Sequence, residues 1–306
     1  MSAPVRCSPW RVQEALHWAG AQLANTIDPA WAARSLLAHA LGCTVTDLFV
    51  HPERPLTAEQ QDAYRSLIAR RSRHEPLAYL LGHRPFLDLD LIVDARVLIP
   101  RQETEILVEK AIALAQRWSR PRIADVGTGS GAIAVSLAVH LSHAHVLAID
   151  ASHDALQVAY ENARRHGVGD RIEFLHGDLL TPLCLQSRSF RREGQPPCRQ
   201  VELIVANLPY VSEEEYAALS PDIRLYEPRE ALVSAADGLE AIFCLLDTAC
   251  PFLAVDGAIL LEAGAGQSKA IREQAARIFP DARITVLPDY AQIERVICID
   301  RAERGR

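Results

Sequence analysis

The run Val205-Ala206-Asn207-Leu208-Pro209-Tyr210 combines residue types that can hold a planar amino group. The Asn207 side-chain oxygen and the adjacent backbone carbonyl can together accept the two hydrogens of an NH2 group. Tyr210 can stack on a flat π system, and Pro209 restricts Leu208 to extended backbone. Such a site suits a weakly basic amide or nucleobase nitrogen as nucleophile, because carbonyl acceptors stabilise the positive charge that attack places on nitrogen. We therefore expect catalytic roles for Asn207, Leu208, Pro209 and Tyr210, the alternative being a purely structural turn.

A second run, Asp125-Val-Gly-Thr-Gly-Ser-Gly131, lies between a predicted strand and a predicted helix. Glycines at such a turn let the backbone approach a ligand and leave amide groups unpaired at the helix start. The G-x-G-x-G spacing differs from the G-x-G-x-x-G of dinucleotide-binding folds, and no Gly-Lys-Ser/Thr follows. Asp125 either holds the turn or meets a cationic end of the ligand. The predicted ligand-binding residues are Asp125, Gly127, Thr128, Gly129, Ser130 and Gly131.

The next predicted strand ends at Asp150, nineteen residues after Gly131. An acidic residue at that place can accept both hydroxyls of a ribose. No nearby cation would balance a phosphate, so the pattern indicates a nucleoside. S-adenosylmethionine fits, because it has a ribose, a neutral adenine and a sulfonium methyl for a nitrogen nucleophile to attack. A glycine turn without a ligand is the alternative.

The following strand region ends in His176-Gly177-Asp178-Leu179. The carboxylate of Asp178 can accept the exocyclic amine of adenine, or it can cap the turn that follows. We therefore expect Asp178 at the base end of the same nucleoside site. The pattern predicts no metal ligands.

Strands and helices alternate from about residue 104 to the end of the chain. Alternating βα units predict an α/β fold with a parallel sheet covered on both faces. Ligands of such sheets bind at the carboxyl ends of the strands, where the four patterns above all lie. The last two predicted strands, 283–287 and 295–300, favour an antiparallel edge pair. The polar segment Leu183–Gln200 predicts a flexible surface insertion.

Residues 1–75 predict a small helical bundle, with helix starts at Ser8-Pro9, Asp28-Pro29 and Thr57. The run Arg70–His74 predicts either a solvated helix end or a contact for an anionic partner such as RNA. Alternating apolar and polar residues over Phe86–Ile99, with a break at Asp94-Ala95-Arg96, predict a β-hairpin. The predicted organisation is thus a helical domain over 1–75, a linker with a hairpin over 76–103, and an α/β domain over 104–306.

The composition excludes several classes of protein. The net charge of −7, from 32 basic and 39 acidic residues, argues against a purely electrostatic nucleic-acid binder. Apolar runs are shorter than the ~20 residues of a membrane helix, and the first ten residues have no apolar signal segment. Seven cysteines without a CxxC pair indicate reduced thiols. We therefore expect a cytoplasmic protein without membrane association or stable nucleic-acid binding.

Together these patterns resemble the HemK-type peptide chain release factor glutamine N5-methyltransferases. The resemblance covers nearly the whole chain and also rests on Leu98-Ile99-Pro100-Arg101-Gln102-Glu103-Thr104-Glu105, Glu227-Pro228 and Asp237-Gly238-Leu239. It implies a Rossmann-like class I methyltransferase sheet, S-adenosylmethionine as cofactor, and the Gln of the Gly-Gly-Gln loop of class 1 release factors as methyl acceptor. It further implies that Leu179 lines the adenine site, that Asn207 holds the amide, and that the helical domain docks the release factor. The chain is expected to be a monomer.

One departure concerns Leu208, where the family usually has Pro. Asn-Leu-Pro-Tyr is more similar to the rRNA adenine N6-dimethyltransferases, although Leu keeps the backbone carbonyl that accepts the hydrogen bond. The alternatives are therefore an N6-adenine methyltransferase of nucleic acid, a ribosomal protein glutamine methyltransferase, or a non-catalytic adaptor of the ribosome or a release factor.

Overall fold

The computed structural model describes residues 9–184, 199–235 and 237–302. The chain divides into two compact units. The first comprises Met1–His83 and Ser220–Tyr226, and the second comprises Arg84–Leu219 and Glu227–Arg306. Most of the predicted insertion Leu183–Gln200 lies outside the described residues.

The first unit is built from helices around an apolar core. Its core includes Leu36, Leu37 and Tyr64, all without solvent exposure, and the Tyr64 hydroxyl donates to the carbonyl of Ala33 at 3.0 Å. This hydrogen bond satisfies the hydroxyl, which is the only polar group of the tyrosine side chain, and so allows the ring to be buried. The helices are α1 (Val12–Gln22), α2 (Pro29–Leu41), α3 (Val45–Val50), α4 (Ala58–Arg71), α5 (Leu77–Leu81) and, from later in the chain, α10 (Pro221–Tyr226).

Two of the three predicted helix starts in this unit are confirmed. Asp28 caps α2 by accepting from the amide of Trp31 at 3.2 Å, with Pro29 as first helical residue. Thr57 forms a reciprocal capping box with Gln60. The start at Ser8-Pro9 is wrong, because α1 begins at Val12. Trp10 and Arg11 are held extended by pairing with residues 55 and 56, which delays the helix.

The basic run at the end of α4 is exposed only in part, and its predicted contact with an anionic partner stays a prediction. Arg71 is 3% exposed and pairs with Asp222 of α10 at 2.6 Å. The same guanidinium donates to the carbonyl of Glu75 at 2.9 Å, and Arg70 pairs with the Glu75 carboxylate. These charges are therefore neutralised within the unit. Removing one member of a buried ion pair typically costs about 3–5 kcal/mol.

The predicted hairpin exists, but its turn lies earlier than predicted. Strand β1 (His83–Phe86) and strand β2 (Leu89–Ile92) are joined at Leu87-Asp88, where Leu87 has φ 51°. The expected turn at Asp94-Ala95-Arg96 comes after the second strand has ended. There the Asp94 carboxylate accepts from the backbone amide of Arg96 at 3.0 Å, which closes a separate local turn.

The second unit contains a seven-stranded sheet in the order β5-β4-β3-β6-β7-β9-β8. The first five strands of this order are parallel, and β9 is antiparallel to both β7 and β8. The predicted α/β fold is therefore confirmed, and of the terminal strand pair only β8 is at the edge. The strands are β3 (Arg122–Val126), β4 (His145–Asp150), β5 (Ile172–His176), β6 (Val201–Ala206), β7 (Leu253–Glu262), β8 (Arg283–Pro288) and β9 (Glu294–Asp300).

Helices cover both faces of this sheet. One apolar cluster includes Leu107, Ile133 and Leu137, and the other includes Leu246 and Ile271. The helices are α6 (Glu103–Ala115), α7 (Ala132–His140), α8 (His153–Arg165), α9 (Glu213–Ala218), α11 (Glu240–Ala249) and α12 (Ser268–Ile278). Within the described ranges, none of the helices has the length and apolar character needed to cross a membrane.

The strand order reverses between β3 and β6, which are neighbours in the sheet although β4 and β5 separate them in the chain. Open α/β sheets bind ligands in the crevice at such a switch point, beyond the carboxyl ends of the strands. The glycine run follows β3, and Asn207 follows β6. The topology therefore places the two strongest sequence patterns on either side of one crevice.

Candidate active site

The glycine run forms a tight turn between β3 and α7. Gly127 and Gly129 have φ of 76° and 54°, a region that favours glycine. A Cβ on Gly127 would lie 3.1 Å from Cδ2 of Leu208, whereas a Cβ on Gly129 would meet no atom within 4 Å. Gly127 therefore packs against the loop after β6, and Gly129 faces open space that a ligand can enter.

Asp125 holds this turn from below. Its Oδ2 accepts from the Thr128 hydroxyl at 2.6 Å and from the amide of Ala134 at 3.0 Å. The carboxyl group is completely buried, and burial raises its pKa to about 7. Among the residues that the structure describes, its Oδ1 has no hydrogen-bond partner. Asp125 thus fixes the turn through its Oδ2, and its Oδ1 remains available as an acceptor.

Asp150 at the end of β4 contacts the glycine turn directly. Its Oδ2 accepts from the amide of Gly129 at 2.8 Å, and its Oδ1 accepts from the amide of Ser152 at 2.9 Å. Burial raises the pKa of this carboxyl group. Since each carboxylate oxygen has two lone pairs, Asp150 can accept further hydrogen bonds while it anchors the loop.

Asp178 and Leu179 follow β5, the neighbour of β4. The turn after Asp178 is closed by its backbone carbonyl, which accepts from the Thr181 amide at 3.0 Å, and the Asp178 side chain is exposed. Leu179 has φ 46°, an uncommon conformation for a leucine. Strained backbone of this kind clusters at ligand sites, and the roles of Asp178 and Leu179 at the adenine end of the site stay predictions.

Asn207 is oriented by a residue that the sequence patterns did not single out. Its Nδ2 donates to the hydroxyl of Thr104 at 3.0 Å. Thr104 lies in the first turn of α6 and is 4% exposed. In the sequence, Thr104 stands out only as a member of the Leu98–Glu105 stretch, which does not indicate a role for it. With its NH2 group turned towards Thr104, Asn207 keeps its Oδ1 as an acceptor.

Tyr210 is held at both of its ends. Its hydroxyl contacts Oε1 of Glu262 at 3.4 Å, and its carbonyl accepts from Nε2 of Gln267 at 2.9 Å. Gly238 lies so close to this carbonyl that a side chain there would collide with it. These contacts fix the position of the ring and explain why Asp237-Gly238-Leu239 accompanies the Asn-Leu-Pro-Tyr run.

Glu262, the last residue of β7, is the second group that sequence reasoning missed. It is 1% exposed, and burial raises its pKa to about 7 against the opposing effects of the Thr104 hydroxyl and the Arg295 charge. Its Oε2 has no hydrogen-bond partner among the described residues. An acidic residue that directly follows the apolar run 258–261 was the only signal available.

Leu208 places its side chain in the core. It is 5% exposed and belongs to the apolar cluster that contains Val126 and Ala206. Because its Cδ2 lies against Gly127, this leucine joins the loop after β6 to the loop after β3. The departure from the family residue is therefore structurally accommodated.

Glu227 connects two further stretches of the sequence. Its Oε1 accepts from Arg101 at 2.6 Å and its Oε2 accepts from the amide of Ile99 at 3.0 Å. Both oxygens of this buried carboxylate are therefore paired within the protein. These two hydrogen bonds fix the chain just before α6, and thereby the position of the helix that carries Thr104.

Comparison with known proteins is consistent with this geometry. A family model described as the PrmC N-terminal domain matches residues 14–82, and one described as a methyltransferase domain matches residues 123–192. The solved structure of the hMettl16 catalytic domain in complex with MAT2A 3'UTR hairpin 6 has a TM-score of 0.53. At 16% identity, covering 78% of this chain and 82% of that one, it shows a shared fold.

Curated relatives are similar over most of their length. The release factor glutamine methyltransferase of Geobacter sulfurreducens is 36% identical, covering 86% of this chain and 87% of that protein. The protein of the same name from Rhodopirellula baltica is 35% identical over 96% and 98% of the two chains. That from Chlorobaculum tepidum is 39% identical over 88% and 89%. The chain therefore belongs to the release factor glutamine methyltransferase family.

Proposed function

We propose that this protein transfers a methyl group from S-adenosylmethionine to the side-chain amide nitrogen of the glutamine in the Gly-Gly-Gln loop of class 1 release factors, and so modulates translation termination. The observation that carries the proposal is the orientation of Asn207. Its NH2 group is bound to Thr104, so its Oδ1 is available to accept from a primary amide. The curated relatives are named release factor glutamine methyltransferases.

The residues around the glycine turn fit the cofactor. Gly129 leaves room for close approach, and Asp150 has lone pairs for ribose hydroxyls. The unpartnered Oδ1 of Asp125 is an acceptor that can meet the cationic methionine end directly or through a water. Asp178 and Leu179 would border the adenine. The cofactor supplies a methyl group on a positively charged sulfur.

The protein has to orient the substrate amide and to stabilise the positive charge that develops on its nitrogen. Asn207 Oδ1 and the Leu208 carbonyl would accept the two amide hydrogens, and Tyr210 would pack on the amide plane. With the cofactor bound, the amide nitrogen would attack its methyl carbon, and the electron pair of the broken carbon–sulfur bond would stay on sulfur. The nitrogen would then lose one hydrogen as a proton to water. Two fixed acceptors stabilise the positive charge that builds on nitrogen.

The helical unit would dock the release factor. Among its described residues, five large apolar side chains are 51–65% exposed, namely Ile27, Trp31, Phe49, Val50 and Leu225. Exposed apolar groups of this size are typical of protein interaction surfaces. We propose that the enzyme acts as a cytoplasmic monomer without stable nucleic-acid binding, which light scattering and RNA gel-shift measurements would test.

The test is a transfer assay with labelled S-adenosylmethionine. Purified release factor, its variant with Gln replaced by Ala in the Gly-Gly-Gln loop, and bare rRNA are offered in parallel. We expect label on the wild-type release factor alone. Label on RNA alone would show that a nucleic acid is the acceptor, and cofactor binding without label on any substrate would indicate an adaptor.

A further inference from the structure

The proposed function requires one particular orientation of the Asn207 side chain. A carboxamide presents an acceptor on one side and two donors on the other. If the group turned by 180°, it would present N–H donors to the substrate amide, whose own NH2 group also donates. The two groups would then repel each other, so some contact must select the productive orientation.

Thr104 is the residue in contact with Asn207. Its Oγ1 lies 3.0 Å from Nδ2 of Asn207 and is buried in the first turn of α6. The hydroxyl is not occupied in capping that helix, whose N-cap is Gln102. A hydroxyl can both donate and accept, and in this structure it accepts from the NH2 group of Asn207.

This hydrogen bond distinguishes the two orientations of the carboxamide. Because Nδ2 of Asn207 donates to Oγ1 of Thr104, the Oδ1 atom lies on the other side of the group and remains an acceptor. Turning the carboxamide by 180° would break this hydrogen bond and would place Oδ1 against Thr104.

We propose that Thr104 is a positioning residue whose hydroxyl accepts from Nδ2 of Asn207 and so holds the carboxamide with its oxygen towards the substrate amide. The inference rests on the proposed function for the identity of that amide. The hydrogen bond from Asn207 to Thr104 is a property of the free protein and can be tested without substrate.

The first experiment compares Thr104→Val, which removes the hydroxyl at nearly constant volume, with Thr104→Ser, which keeps it. We expect Thr104→Val to lower kcat by about ten- to a hundredfold, the usual effect of losing one buried hydrogen bond. Cofactor affinity in calorimetry should stay unchanged, and Thr104→Ser should recover most of the activity. Equal losses in both variants would overturn the proposal.

A double-mutant cycle separates positioning from general damage. In the Asn207→Ala background, Thr104→Val should lower the free energy of unfolding less than it does in the wild type, because the group that it contacts is gone. An independent and equal loss in that background would contradict the assigned role.

A third measurement does not depend on turnover. In ¹⁵N-labelled protein, the side-chain NH2 signals of Asn207 are assigned by their loss in Asn207→Ala. We expect them to be protected from exchange in the wild type and in Thr104→Ser, and unprotected in Thr104→Val. Protection that persists in Thr104→Val would overturn the inference. Protection as expected in an enzyme that leaves release factor unlabelled would refute the proposed function alone.

Discussion

Replacing Leu208 by Ala should both destabilise the protein and weaken its cofactor site. The side chain is 5% exposed and packs against Gly127, so truncation removes almost fully buried carbon atoms from beneath the glycine turn. Buried Leu→Ala changes cost about 2–5 kcal/mol. Without this support, about one backbone residue of the turn should become free to move in the unbound protein. Ordering it again on binding costs roughly 1–2 kcal/mol of conformational entropy, which corresponds to about a tenfold loss in affinity for S-adenosylmethionine.

The matched control is Leu245→Ala, which empties a fully buried position in the same apolar cluster, on α11. Urea unfolding should show similar losses of stability in the two variants. Calorimetry with S-adenosylmethionine should show weakened binding only in Leu208→Ala. Equal affinities in the two variants would refute the idea that Leu208 supports the glycine turn.

Three further outcomes follow from the site. Asn207→Ala should abolish methyl transfer with little change in cofactor affinity, and a parallel loss of binding in calorimetry would contradict its role. Asp150→Ala should do the reverse, because it removes the anchor of Gly129 together with the expected ribose acceptor; unchanged affinity would exclude it from the ribose site. Burial raises the pKa of Asp125 to about 7, so the folded state binds a proton that the unfolded chain lacks at intermediate pH. The stability that this proton contributes is complete in acid and is lost as the pH rises through about 7. The stability of the wild type relative to Asp125→Asn should therefore fall between pH 5 and pH 8 by at most about 1.4 kcal/mol per pH unit, and urea unfolding at several pH values would reveal a flat difference if the reasoning is wrong.

The sequence was most informative where chemistry depends on neighbouring residues. The glycine turn and the Asn-Leu-Pro-Tyr run each combine residue types and backbone constraints within a few positions. The α/β order then predicts that they meet at one edge of the sheet. The fold class and the family could therefore be predicted, while the roles of the individual site residues stay predictions until variants are measured.

Residues that act through tertiary contacts escaped prediction. Thr104 and Asn207 are 103 positions apart, and Tyr210 and Glu262 are 52 apart, so no local pattern joins them. The predicted start of α1 was wrong for a similar reason, because pairing with a distant segment keeps Arg11 extended. Local propensity sets where a helix can begin, and such long-range pairing decides where it does begin.

The pairing of Arg71 with Asp222 makes the order of synthesis matter for folding. The two residues are 151 positions apart, and at ~5–20 residues per second a ribosome needs roughly 8–30 s to cover that distance. Throughout this interval, the guanidinium at the end of α4 lacks the carboxylate that neutralises it. The helical unit is thus the first to emerge, yet it is completed only after β3, β4, β5 and β6 have been made. A nascent chain that stalls before residue 222 would carry an unfinished first unit, even though nearly all of that unit's residues are already synthesised.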